Sequence, residues 1–203
     1  MSNPWDKFSQ EKLRKIFTEK QYIIDIGGGL RLDKEKGGRI NKKNFWLKNY
    51  VEKVDYKILD KDKSYNPDIV GDIHKLPLAD SSVEAIICLS VLQHVEEPQK
   101  AVKEIYRVLK LGGYFFAYVP FLYYYHPLPG HYKDFYRFTY DGVKYLTRDF
   151  NKIEIQNVRG AMATAMNLFP VFSKRTGIFD WLDKIFKKQD SRQTSGYNIF
   201  CIK

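Results

Sequence analysis

The sequence predicts an α/β fold: a doubly wound, seven-stranded, mostly parallel sheet with an antiparallel C-terminal strand and helices on both faces. Three observations carry that expectation. Short apolar runs alternate with segments whose apolar residues recur at helical spacing, the pattern of strands joined by crossover helices. The first apolar run, Tyr22–Ile26, passes directly into Gly27-Gly28-Gly29. A last apolar run, Tyr197–Ile202, follows a polar turn region at Ser191–Gly196.

The elements follow in order. Asn3-Pro4 places an N-cap and a first helical residue before Phe8, Leu13, Ile16 and Phe17, which share one face of a helix near residues 4–19. Strand one is residues 22–26. A polar, lysine-rich segment then reads as a loop plus a helix around residues 45–51. Strand two is residues 54–59, ending at Asp60, and strand three is residues 67–70, ending at Gly71-Asp72. Residues 82–89 form strand four. Pro98 opens a helix whose apolar face is Ala101, Val102, Ile105, Val108 and Leu109, with Gly112-Gly113 expected to stop it. Strand five is residues 114–119, ended by Pro120. A helix at 141–148 and strand six at 152–158 follow, and residues 160–189 read as helix in pieces.

The whole chain, 1–203, reads as a single domain, decorated by a basic insertion at 31–53, a substrate-side loop at 121–140 and a helical insertion at 160–190. No apolar run approaches the ~20 residues that span a bilayer, and the polar start at residues 1–10 lacks an apolar signal core, so a cytoplasmic location is expected. Cys88 and Cys201 fall inside apolar strands and read as small buried hydrophobes. The four histidines have no metal-ligand spacing, and no metal site is expected. The net charge of +10 favours an anionic partner, or marks a solvated basic surface.

In sheets of this kind ligands bind beyond the carboxyl ends of the strands. Strand one ends in the glycine turn, where the backbone can pass close to a ligand. Strand two ends in Asp60, an acceptor for vicinal hydroxyls, strand three in Asp72, and strand four in Ser90-Val91-Leu92-Gln93-His94. Together these groups suit a nucleoside. A nicotinamide-type fingerprint fits poorly, because Leu32 stands where its third glycine belongs and Asp60 lies 31 residues after Gly29.

The joint pattern resembles the class I S-adenosylmethionine-dependent methyltransferases of the type 11, Rossmann-like group. The segments that carry the likeness are Asp25–Gly29, Leu59-Asp60, Gly71–Leu78, Ser82–Cys88, Val91–Val95 and Glu104–Gly113. The resemblance implies S-adenosylmethionine as cofactor and S-adenosylhomocysteine as product. It implies that backbone N–H groups of Gly27, Gly28 and Gly29 hold the methionine end and that Asp25 orients it. Asp60 would take the ribose, Asp72 and the Ile73 backbone the adenine edge, and Ser90 and Gln93 the floor near the sulfonium, with Ile73 and Leu92 sandwiching the adenine. One departure is Arg31, where the family often has a glycine. It reads as a surface arginine or as a partner for an acidic group.

Substrate contacts are expected from Phe121–Thr139, an aromatic and ionisable stretch. Tyr124, Tyr132, Asp134 and Arg137 are the candidate substrate residues, with Asp134–Arg137 read first as a structural clamp. His131 and His126 are candidate general bases near neutral pH, with Asp134 expected to orient His131. The expected acceptor is a small molecule, sugar or lipid-linked compound, including anionic ones. The strand-four end lacks the Asn/Asp-Pro-Pro-Tyr stretch of base-amino methylation, which ranks nucleic acid lower. An RNA or protein acceptor and a non-catalytic binding protein are the alternatives. Residues 179–188, with Trp181 and nearby lysines, suggest either a helix packed on the sheet or a peripheral membrane contact. The sequence does not fix an oligomeric state.

Overall fold

The computed structural model describes residues 3–33, 40–169 and 176–203. The chain runs through α1 (Pro4–Glu19), β1 (Tyr22–Ile26), a 3-10 turn at Lys42–Leu47 leading into α2 (Lys48–Val51), β2 (Asp55–Asp60), β3 (Ile69–Val70) and β4 (Val83–Leu89). It continues through α3 (Pro98–Val108), β5 (Leu109–Pro120), α4 (Tyr140–Leu146), β6 (Lys152–Val158), α5 (Ala161–Asn167), α6 (Thr176–Ile185) and β7 (Gly196–Ile202). One seven-stranded sheet has the order β3-β2-β1-β4-β5-β7-β6. The pairings from β3 to β5 are parallel, and β7 is antiparallel to both β5 and β6. The expected architecture is the observed one. Part of the basic segment, residues 34–39, and residues 170–175 of the helical insertion lie outside the described residues.

The central strands are apolar on both faces because both are covered. Their alternation sorts side chains into two cores. Ile24, Ile86, Cys88, Phe115, Ala117 and Ile199 face the layer of α3 and α4, where Ile105, Val108 and Val143 pack on them. Ile23, Ala85, Ile87, Phe116 and Phe200 face Leu13, Ile16 and Phe17 of α1, with Leu47 closing that side. Both cysteines are free and buried in strands, as expected.

The main boundary difference from the sequence reading lies between α3 and β5. Gly112-Gly113 does not stop α3, which ends at Val108 and turns directly into β5. The glycines lie in an irregular stretch of that strand. Val83 pairs with Leu109 and Ala85 with Tyr114, so β5 carries extra residues that push Leu111 out to 83% exposure. Apolar Leu109 is buried at the start of the strand and ends the helix by tertiary pairing, which local glycine chemistry does not report.

The order of the strands fixes where a ligand can sit. Connections run one way from β1 to β3 and the other way from β4 onward, so a crevice opens between the carboxyl ends of β1 and β4. Ile105→Ala removes a fully buried contact of α3 and is expected to cost about 2–5 kcal/mol in urea unfolding. Leu111→Ala, on the outward excursion, should stay within about 0.5 kcal/mol of the parent.

Candidate functional site

The turn after β1 is built around Asp25, which has no exposed surface. Its Oδ1 accepts from the Gly29 N–H at 3.0 Å, and its Oδ2 from the Leu30 N–H at 3.0 Å and the Tyr56 hydroxyl at 2.7 Å. Burial raises the Asp25 carboxyl to about 6 against the pull of these three donors. Gly27 and Gly28 adopt φ of 77° and 57°, and a Cβ on Gly27 would stand 2.6 Å from Cγ2 of Val91. The backbone therefore passes where no larger residue fits.

Beside this turn lies a cavity of about 410 Å³ at the carboxyl rim of the sheet, a size that suits a small ligand. Gly27, Gly28, Gly29, Asp60, Ile73, Ser90 and Gln93, all expected from sequence, line it. Asp25 supports it from below. The N–H groups of Gly27, Gly29 and Leu30 are spent on Leu59 O and on Asp25. The turn thus offers mainly space and its remaining polar groups, where N–H donation to a ligand was expected. Asp72 is not in the wall: its exposed carboxylate binds the backbone N–H and Nδ1 of His74, at 2.8 and 2.7 Å. Leu92 is also not in the wall but in the core beneath; Ile73, Val91 and Val95 supply apolar surface to the cavity.

Asp60 ends β2 at the rim, with Oδ1 accepting from the Asp62 N–H at 2.9 Å. Burial raises its carboxyl above the ordinary value. Gln93 is fully buried, and its Oε1 finds no hydrogen-bond partner within the protein. The amide is oriented by His94. Nδ1 of His94 lies 2.7 Å from the Lys133 carbonyl, which can only accept, so Nδ1 carries the proton and Nε2 accepts from the Gln93 amide at 3.0 Å. Burial lowers the His94 pKa and keeps this neutral tautomer in place. An unsatisfied buried acceptor is costly unless a ligand supplies the donor.

The other half of the wall is aromatic: Tyr118, Tyr123, Tyr124 and Tyr132, with His126 and His131. Tyr124, Tyr132 and both histidines thus line the cavity. Asp134 and Arg137 stand behind the wall. Their two hydrogen bonds, both 2.7 Å, form a bidentate pair, and Arg137 also donates to the carbonyls of Tyr123 and Tyr124. Arg137 holds the Asp134 carboxyl down at about 2. This is the structural clamp expected for the pair, and it shapes the loop that carries the tyrosines.

Asp134 does not orient His131. It accepts from the His126 N–H at 2.8 Å, whereas His131 Nδ1 contacts Asp62 Oδ2 at 2.7 Å and its ring stacks on Tyr65. Asp62, His94 and Tyr118 are site residues that the sequence reading did not assign. Asp62 lies two residues past Asp60, but its partner is 69 residues away, a pairing that no local pattern reveals. Arg31 also lines the cavity, with φ of 52°. This left-handed conformation is strained for a side chain with a Cβ.

The Asp25 carboxyl has a signature in stability. An acid whose folded pKa is raised favours the folded state only when protonated, so its contribution falls as pH rises from about 4 through about 6. Relative to Asp25→Asn, the parent should lose about 2 kcal/mol of unfolding free energy between pH 4 and pH 7. Urea melts of both proteins across that range check this; a constant difference contradicts it.

Residues 48–117 match the family model described as a methyltransferase domain. A 2-methyl-6-phytyl-1,4-hydroquinone methyltransferase of Oryza sativa subsp. japonica is 27% identical over 107 residues, 48% of this chain and 29% of that protein. The chain spans only 13–29% of the lengths of the curated relatives it matches. Among solved structures, a SAM-dependent methyltransferase from Archaeoglobus fulgidus superposes with a TM-score of 0.60 at 14% identity, covering 100% of this chain and 95% of that one. A methyltransferase from Haloferax volcanii, solved with the Trm112 activator, superposes with a TM-score of 0.58 at 17% identity, covering 94% and 87%. The matched segment is thus similar to a methyltransferase domain, and the fold is the one these solved methyltransferases share.

Proposed function

We propose that the chain binds S-adenosylmethionine at the carboxyl rim of its sheet and transfers the methyl group to a small or lipid-linked acceptor. The observation that carries this reading is the two-part cavity. A glycine turn, Asp60 and an unsatisfied Gln93 oxygen stand on one side, and an aromatic wall on the other. Two features fit the cofactor: the cradle at Gly27 that a Cβ would fill, and a buried acceptor that lacks a donor. When bound, the cofactor supplies an electrophilic methyl on a sulfonium with a neutral thioether leaving group.

The chain's own residues then have distinct tasks. Asp60 accepts from the ribose hydroxyls, an ionised acceptor making strong bonds. Ile73, Val91 and Val95 give the base an apolar slot, with the Ile73 backbone at its edge and Asp72 outside at the rim. Ser90 and Gln93 bound the reacting end, and Asp25 sets the turn that holds the amino-acid end. Arg31 has no ion-pair partner among the described residues, and its charge reaches Asp25. It is placed to meet the cofactor carboxylate.

The tyrosines and Pro120 exclude water and align the acceptor. For an acceptor that must lose a proton, His131 and His126 are the base candidates. The Nδ1 atoms are engaged by Asp62 in the first and by the Tyr124 carbonyl in the second, which leaves each Nε2 to take the proton. The aromatic wall suits a flat or amphipathic acceptor, and the rice relative is named for a prenylated hydroquinone.

Isothermal titration with S-adenosylhomocysteine should give one site per chain with a Kd on the order of micromolar. Asp60→Asn should weaken it about tenfold to a hundredfold. Absence of binding by the parent overturns the reading. Arg31→Gly should weaken S-adenosylhomocysteine about tenfold and leave 5′-methylthioadenosine, which lacks the amino-acid end, unchanged. Equal effects on both ligands would remove Arg31 from the carboxylate subsite.

A further inference from the structure

The helical insertion between β6 and β7 has a face that the sheet does not use. Asp183 of α6 is fully buried and accepts from the backbone N–H groups of Met162 and Ala163, both at 2.9 Å. It thereby caps the start of α5. That pair of bonds fixes the roll of α6. With Asp183 turned inward, Ile178, Trp181 and Ile185, spaced three and four apart, point outward with 61%, 59% and 52% of their surfaces exposed. Phe186 beyond the helix is 58% exposed, and Phe169 at the end of α5 is 56% exposed. Large exposed apolar patches mark interaction sites. Lys187 and Lys188, which follow the helix, are exposed.

The exit of the insertion is tied to the aromatic end of the cavity. Ser195 and Thr194, at the exit of the insertion, accept from the N–H groups of Phe121 and Leu122, at 2.9 and 3.1 Å, where the aromatic loop begins. At its entry, Arg159 is close enough in charge to influence Asp180 of α6 as well as Tyr118 and Tyr123 of the cavity wall.

We infer that the outward face of α6 docks on an anionic lipid surface and sets the aromatic end of the cavity at the bilayer interface. The chemistry selects this occupant. Trp and Phe with long aliphatic side chains partition into the headgroup boundary, and lysines beside them pair with anionic headgroups. A second copy of the chain would bring two lysine-bearing faces together across a twofold axis, in a protein already at +10. The inference deepens the proposed function, because it supplies a lipid-linked or membrane-dissolved acceptor to that site. Lipid binding itself requires no cofactor.

Cosedimentation of the full chain tests it. Vesicles of phosphatidylcholine with about one third phosphatidylglycerol should pellet the protein, and pure phosphatidylcholine vesicles should do so at least about tenfold less. Raising salt from ~0.05 to ~0.5 M should release it. The double variant Trp181→Glu/Ile185→Glu should lower binding by about tenfold or more with its Tm and S-adenosylhomocysteine affinity unchanged. Lys187→Glu should lower binding about fivefold or more. As an independent readout, vesicles should shift the tryptophan emission of the parent to the blue and not that of Trp181→Phe. Failure to pellet, or pelleting that the double variant retains, overturns the inference. So does sedimentation velocity showing a dimer that the double variant disperses, which would make the face a contact between copies. If S-adenosylhomocysteine fails to bind while vesicles do, the cofactor reading fails and the lipid surface stands.

Discussion

A carboxylate buried beneath the first turn is the constraint on which the site depends. Asp25 sits at the end of the central strand β1, and its two oxygens collect two backbone N–H groups and a tyrosine hydroxyl. Those bonds satisfy donors that the tight glycine bend would otherwise bury unpaired. Because Tyr56 lies on β2, the same carboxylate also ties the turn to the neighbouring strand. Its raised pKa measures the cost of placing a charge there. The return on that cost is positional: a backbone bend held at a fixed height above the crevice between β1 and β4.

The roof of the cavity is held by pairs that are distant in sequence. Asp134 and Arg137 fold the loop after β5 into a fixed shape and carry Tyr123 and Tyr124 with it. That loop is fastened to the end of β4, where the Gln93 carbonyl accepts from the N–H groups of Phe135 and Tyr136. His131 fastens it to the end of β2 through Asp62 and Tyr65. Three strand ends are thus joined around one space. A ligand entering there meets apolar walls, an ionisable acceptor at Asp60 and an amide oxygen at Gln93, so its donors replace hydrogen bonds the protein does not make.

Much of this was legible in the sequence, and the reasons differ between elements. The strands were readable because each is a short apolar run flanked by polar turns, and their ends located the glycine turn and Asp60. The identity of the wall around Tyr124 and Tyr132 was readable from the density of aromatic residues. What remained hidden was pairing between distant segments. The partner of His131 proved to be Asp62, although Asp134 is only three residues away, because the loop's fold turns Asp134 toward Arg137 and His126. Asp72 follows β3 as the motif suggested, yet a short-range bond to His74 holds it outside the wall. The end of α3 was misplaced because Leu109 is claimed by the sheet before the two glycines are reached. The burial of Asp183, which decides which face of α6 meets solvent, was equally invisible to helical periodicity.

The central claim is that the glycine bend, Asp60 and Gln93 act on one nucleoside-bearing ligand. A crystal structure of the chain with S-adenosylhomocysteine addresses it most directly. The account predicts the Asp60 carboxylate against both ribose hydroxyls, the Gln93 oxygen with a ligand donor, and the thioether sulfur facing the wall of Tyr118, Tyr123 and His126. A ligand seated elsewhere on the sheet, or a Gln93 oxygen that still lacks a partner with the cavity filled, would contradict it.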